Sequence, residues 1–411
     1  MTSSKPDSRY DFVLSNLRTR RQNPPVAIIA FLERLQESLL DDHPSPAASS
    51  RFHGKAMRSE GVAEEKINQI SEVVNEMGSG VRAPTRFEDF GLHVLLQEFG
   101  SRIEEEAVRF GWGKKVEQLT VVFGQVRTGR ANARTVRVPG SDDYLILVDQ
   151  NLMEFLYTWS LAVVKALPRG KKMEKPDGWL SYDMSADRIR THLKKEPRHL
   201  SAFCITALEY ALQGHPTARR QMEDTESQEL AGMLMTAGIL FVLAHEYMHI
   251  IADGPLQYIN QAHTKAGGDV HTVGSIAQES IVDGMAFWLA ASAMEKYKYP
   301  NATFTYWGAV IFLHCSQLMF KTIAILRGGD EGHMNDKEKL QHDLYEFRMD
   351  LLVKSIRNAA DSFDVPIGGW GRISKNLNLM SDVISELWTF TVPFLEWNHE
   401  EGMRPSVTWA T

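Results

Sequence analysis

Only two cysteines, Cys204 and Cys315, occur in the 411 residues. That scarcity excludes a disulfide framework and a cysteine-rich zinc site. Both lie in apolar, helix-like surroundings and read as small hydrophobic residues of a reducing compartment. The opening MTSSKPDSRYDF lacks the basic-then-apolar order of a leader, so nothing there directs export and a cytoplasmic location is expected. Excess positive charge is missing as well. Forty-five Lys and Arg face 52 Asp and Glu, a formal net charge of -7, so neither nucleic acid nor an anionic membrane is an expected partner. Two apolar stretches, 230–244 and 300–320, fall short of membrane spans. The first is shorter than the ~20 residues a bilayer needs and runs into His245 and Glu246; the second carries Asn301, Thr303, Thr305, His314, Ser316 and Gln317. Both are expected to be buried core helices.

What is present is an ordinary globular composition, 43% hydrophobic and 24% charged, which excludes wholesale disorder and fibrous folds. The length suits two domains or one enlarged catalytic domain. Residues 1–100 read as a helical region: apolar spacing predicts helices over 25–40 and 64–77, and Thr85 with Glu88 forms a capping-box pattern opening a third toward Phe110. From 116 to 149 the period changes to short β-rich runs, 119–123, 135–138 and 144–148, separated by Gly, Asn and Asp, which predicts a small antiparallel sheet. Helix returns over 151–167. Residues 168–197, with Arg169, Lys171, Lys172 and Lys175, read as a basic, exposed insertion. The fold class expected is α+β, predominantly helical, with an N-terminal region 1–100 and a main domain 101–411.

The chemistry concentrates in one predicted helix. Thr225 and Gln228 give a start signal, a strongly apolar run follows to Ala252, and Asp253-Gly254-Pro255 supplies a stop. Inside it stands His245-Glu246-Tyr247-Met248-His249. Two histidines four apart share a helix face, so both rings can reach one Zn²⁺, while Glu246 at the adjoining edge is placed to take a proton from water. Burying these groups without a partner is costly, and a metal is the simplest partner. Zinc needs a third protein ligand. Glu279 and Asp283, four apart on the next predicted helix, supply one candidate ligand and an outer acceptor for a ligand imidazole; His263, Asp269 and His271 compete. The metzincin pattern fails, because Ala252 and Pro255 stand where Gly and His are required.

H-E-Y-M-H followed by E-S-I-V-D-G-M-A resembles the gluzincin metallopeptidases, with their HExxH and downstream ExxxD, and Ala286 three beyond the Asp. The resemblance implies one Zn²⁺ per chain on His245, His249 and Glu279, Glu246 as general base, and Asp283 as an outer partner of the metal site. The order of small sheet, active-site helix and Glu helix is similar to the minimal gluzincin core. In that core the His and Arg of an H-P-x-x-x-x-R segment line the site and help hold the tetrahedral intermediate; the resemblance implies this catalytic role for His342 and Arg348, with Asp343 in the place of the Pro. The likeness spans about residues 116–353 and implies a peptidase acting on a protein or peptide substrate. Read from the residues alone, His342 and Arg348 also suit an exposed charged helix over 336–350. A catalytically silent metal-binding scaffold on the same fold is the alternative function.

Overall fold

The computed structural model describes residues 13–17, 19–20, 23–42, 64–65, 68, 72, 83–128, 131–168, 186–195, 197–215, 225–265, 273–295, 302–362 and 377–406. Most of the expected helix at 64–77 and the basic residues 169–175 lie outside them. The chain divides into two compact units, Met1–Leu152 with Val242–Tyr258, and Met153–Phe241 with Ile259–Thr411. The expected boundary at residue 100 falls inside a helix, Phe90–Ala107.

The first unit is built on a three-stranded sheet between helices α1 (Val26–Asp42) and α2 (Phe90–Ala107). After α2 a π turn, Val108–Trp112, carries Gly111 at φ 90°, a conformation open to glycine, and a short α3 follows (Gly113–Gln118). The strands are β1 (Val121–Val126), β2 (Ala133–Arg137) and β3 (Tyr144–Asp149), in the order β1-β3-β2. The sheet is mixed, which corrects the expected antiparallel one: β2 pairs antiparallel with β3, but β1 runs parallel to β3 from Val121↔Tyr144 to Val126↔Asp149. Burial accounts for the place of β2: with Arg134 and Arg137 exposed it stays at the edge, whereas β1 and β3 are buried along nearly their whole length. The chain leaving β1 therefore passes the end of β3, where the Asp149 carboxylate accepts from the Thr128 amide at 2.7 Å and hydroxyl at 2.6 Å.

Each sheet face has its own helix. Ile28 and Leu32 of α1 pack on Val122, Val126, Leu145 and Leu147. On the other face α2 meets Phe123 at Gly100, where a Cβ would stand 2.3 Å from the ring. Directly paired residues share a face, so the row Phe123, Ile146, Thr135 crosses the sheet on the α2 side.

The described elements of the second unit are helices: α4 (Asn151–Ala166, from Met153 on), α5 (Ala186–Lys195), α6 (Pro197–Gln213), the parts of α7 (Thr225–Lys265) outside 242–258, α8 (Val273–Met294), α9 (Ala302–Gly328), α10 (Asp336–Ser362) and α11 (Leu379–Glu400). Apolar on all sides, α9 is buried by α6, α8, α10 and α11. It crosses α7 closely: a Cβ on Gly308 would stand 2.5 Å from the Gly238 amide nitrogen. By length and composition α7 and α9 each contain a stretch able to cross a membrane, 226–251 and 303–328, and most of each stretch is buried within the protein. Cys204 and Cys315 are free and buried, which pushes both thiols up. The later part of the expected exposed insertion is in fact the packed helix α5. Its Ile189 and Leu193 are buried, and Arg190 Nε donates to Glu386 of α11 at 2.8 Å; a polar composition hid an amphipathic stripe.

The entry to α2 also differs from expectation. Its N-cap is Asp89, whose carboxylate accepts from the Leu92 amide at 2.8 Å. Thr85 and Glu88 instead join a buried polar network that ties α1 to β1. Gln36 donates to Glu88 Oε1 at 2.7 Å, the Thr85 hydroxyl donates to Gln36 Oε1 at 2.7 Å, and the Gln125 amide donates to Glu88 Oε1 at 3.1 Å. Burial outweighs these donors and raises Glu88 from its ordinary 4.5 to about 7, while burial lowers nearby His93 from 6.5 to about 4. The two act in opposite senses. Stability from neutral Glu88 is full below 4.5 and is lost as pH rises through about 7; that from neutral His93 is full above 6.5 and is lost as pH falls through about 4. Glu88→Gln keeps an acceptor for Gln36 and Gln125 but cannot ionise. It should match the wild type near pH 5 and exceed it near pH 8 by on the order of 2–3 kcal/mol in urea unfolding. An unchanging gap between the two proteins across that range would contradict the assignment.

Candidate active site

The α7 run from Leu230 to Ile251 is rich in strong helix formers and buried nearly all round, the signature of a core helix. His245 and Glu246 are buried within it and His249 is half-buried. One helical turn brings the two rings together as expected, with Nε2 atoms 3.0 Å apart and ring planes at 86°. Two nitrogens at this separation suit a shared ion at about 2.0–2.1 Å from each. Without an ion, one ring must donate Nε2–H to the other. A pair of imidazoles is a donor type that zinc accepts, as do copper, iron and nickel.

Two polar side chains secure this segment. Thr135 of β2 lies 2.9 Å from the Glu246 carbonyl oxygen and 3.0 Å from Glu246 Oε2, donating its hydroxyl to them. The Lys115 ammonium of α3 donates to the Ile251 carbonyl. That bond accompanies a departure from expectation, since α7 does not stop at 253–255 but continues to Lys265. Pro255 has no N–H for the carbonyl four residues back, which is that of Ile251, and Lys115 takes its place. The helix survives because its orphaned acceptor is satisfied.

In the second unit, α8 carries a half-buried Glu279 and a fully buried Asp283. Arg348 of α10 grips Asp283 with two bonds, Nε to Oδ2 and Nη2 to Oδ1, both 2.7 Å, and its Nη1 lies 4.0 Å from Glu279. Burial works against the guanidinium charge, but Asp283 and Glu279 outweigh it and push its pKa further up. The Tyr345 ring lies 5.5 Å from the guanidinium carbon. Asp283, read as an acceptor for a ligand imidazole, thus serves first as the counter-ion of Arg348.

His342 and Arg348 do not lie on an exposed face. Lys337, Lys339 and Glu346 do, whereas His342, Arg348, Leu352 and Ile356 form the inward stripe of α10. Gln317 Nε2 lies 3.1 Å from His342 Nε2 and donates to it, which leaves the ring proton on Nδ1, 3.0 Å from Asp343 Oδ1. The side chain of His263 and the residues Asp269 and His271, the competing ligands, lie outside the described residues.

Scans of protein-family models, of curated proteins and of solved structures find no match to this chain. The residues must therefore carry the argument. Thr135 and Lys115 escaped the sequence reading because their partners are backbone or lie more than a hundred positions away. The alternating edge-strand pattern of 133–137 was the one available hint for Thr135.

Arg348→Ala would leave the Asp283 carboxylate buried without its counter-ion, so it should cost about 3–5 kcal/mol of unfolding free energy. The paired change Asp283→Leu with Arg348→Leu should recover most of that loss. An Arg348→Ala protein within about 0.5 kcal/mol of wild type, as for a solvated surface charge, would refute the buried pair.

Proposed function

We propose that this chain is a zinc-dependent peptidase of the gluzincin kind, acting on a protein or peptide substrate in the cytoplasm. The observation that carries the reading is the convergence of two imidazole nitrogens to 3.0 Å on a buried apolar helix, with a carboxylate at the intervening position 246. Groups so costly to bury are retained where chemistry uses them. In this reading His245 and His249 hold one zinc ion and Glu279 completes the protein ligands. Zinc, when bound, supplies Lewis acidity that makes water more acidic and a peptide carbonyl more electrophilic.

The protein's own residues do the rest. Glu246 takes the proton of the attacking water and returns it to the leaving amine. Its buried position keeps bulk water from competing for that proton. Arg348 acts through Asp283, fixing the helix that bears Glu279, and so positions a ligand rather than touching substrate. The gluzincin likeness would turn His342 toward a developing oxyanion, a role that requires its Nδ1–H to leave Asp343, since its Nε2 accepts from Gln317.

Glu246→Gln keeps the shape and volume of the side chain but cannot accept the proton. Zinc content and melting temperature should persist while cleavage of an internally quenched peptide library falls by at least ~10²-fold. Full cleavage by Glu246→Gln, or no cleavage by the zinc-loaded wild type, would overturn the reading.

A further inference from the structure

We propose that Thr135 is a positioning residue for Glu246, setting the direction of the carboxylate from the edge strand of the sheet. This rests on the reading of Glu246 as general base. The Thr135 hydroxyl stands 2.9 Å from the carbonyl oxygen of Glu246 and 3.0 Å from its Oε2, so both acceptors belong to one residue. The carbonyl is fixed by the helix. It marks a place for the hydroxyl from which the same proton reaches the carboxylate, and a pinned Oε2 limits rotation about the last torsion of the glutamate. The direction of Oε1 is then set.

Thr135 is itself well held. It pairs with Ile146 in the β2–β3 ladder, and its β-branch restricts χ1, so the hydroxyl is delivered by a rigid element. A base must come within about 2.6–3.2 Å of the proton it takes, and small errors of aim are expensive. A long, flexible glutamate needs such a constraint more than a histidine does. The edge strand thus reaches the site through a side chain, at the one position of β2 whose cross-strand row leads through Ile146 to Phe123.

The test compares Thr135→Val, which keeps the shape and loses the hydroxyl, with Thr135→Ser, which keeps the hydroxyl. Thr135→Ala repeats the first comparison should Val not be accommodated. On the quenched peptide library, Thr135→Val should lose about tenfold in kcat with KM, zinc content and melting temperature nearly unchanged, and Thr135→Ser should restore most of the rate. In a Glu246→Gln background, Thr135→Val should add little further loss, because the group it aims is gone. Wild-type kcat in Thr135→Val and Thr135→Ala, with Glu246→Gln inactive, would sink the positioning role and leave the peptidase reading intact. Equal loss in Val and Ser, or a fully multiplied loss in the double variant, would assign Thr135 to packing instead. A zinc-loaded wild type without cleavage would remove the peptidase reading, and this proposal with it.

Discussion

The constraint on which the site depends is the burial of an imidazole and a carboxylate, with a second imidazole half-buried beside them, on a strongly apolar stretch of helix. Polar groups taken from water need partners, and ionisable ones need them most. The α7 segment meets that demand with groups from outside the helix: the Thr135 hydroxyl for Glu246 and the Lys115 ammonium for the Ile251 carbonyl. The His245 and His249 nitrogens converge to 3.0 Å, a separation that a shared divalent cation would suit.

Buried charge is managed in two different ways elsewhere. In the second unit the buried Asp283 carboxylate is met by Arg348 with two short bonds, an arrangement that offsets the cost of burial as long as both partners stay. In the first unit Glu88 has donors but no cation, and burial raises it toward neutrality instead. The ion pair orders the helix that bears Glu279 by charge; the Glu88 network joins α1 to β1 by hydrogen bonds, and its strength follows pH.

Local signals in the sequence were legible where one element decides the outcome. The period of residues 25–40 foretold α1, observed at Val26–Asp42, and the apolar runs foretold α7 and α9 as buried helices. The H-E-x-x-H spacing foretold the meeting of His245 and His249, since 3.6 residues per turn requires it. Where distant groups decide, the sequence misled. The parallel pairing of β1 with β3 depends on which strand wins the centre, and Pro255 ends no helix because a lysine 136 positions from Ile251 satisfies its carbonyl. Thr85 and Glu88 matched a capping box, yet Gln36 and Gln125 bind them and Asp89 caps the helix. Charged α10 looked exposed because its inward stripe contains His342 and Arg348 among the expected apolar residues.

X-ray absorption at the zinc edge of the zinc-loaded full-length protein tests the central claim most directly. The account predicts one ion per chain with two imidazole nitrogens and carboxylate oxygen at about 2.0–2.2 Å, no sulfur, and loss of the carboxylate contribution in Glu279→Ala. A chain that binds no zinc, or a shell unchanged by Glu279→Ala but altered by His263→Ala or His271→Ala, would contradict it.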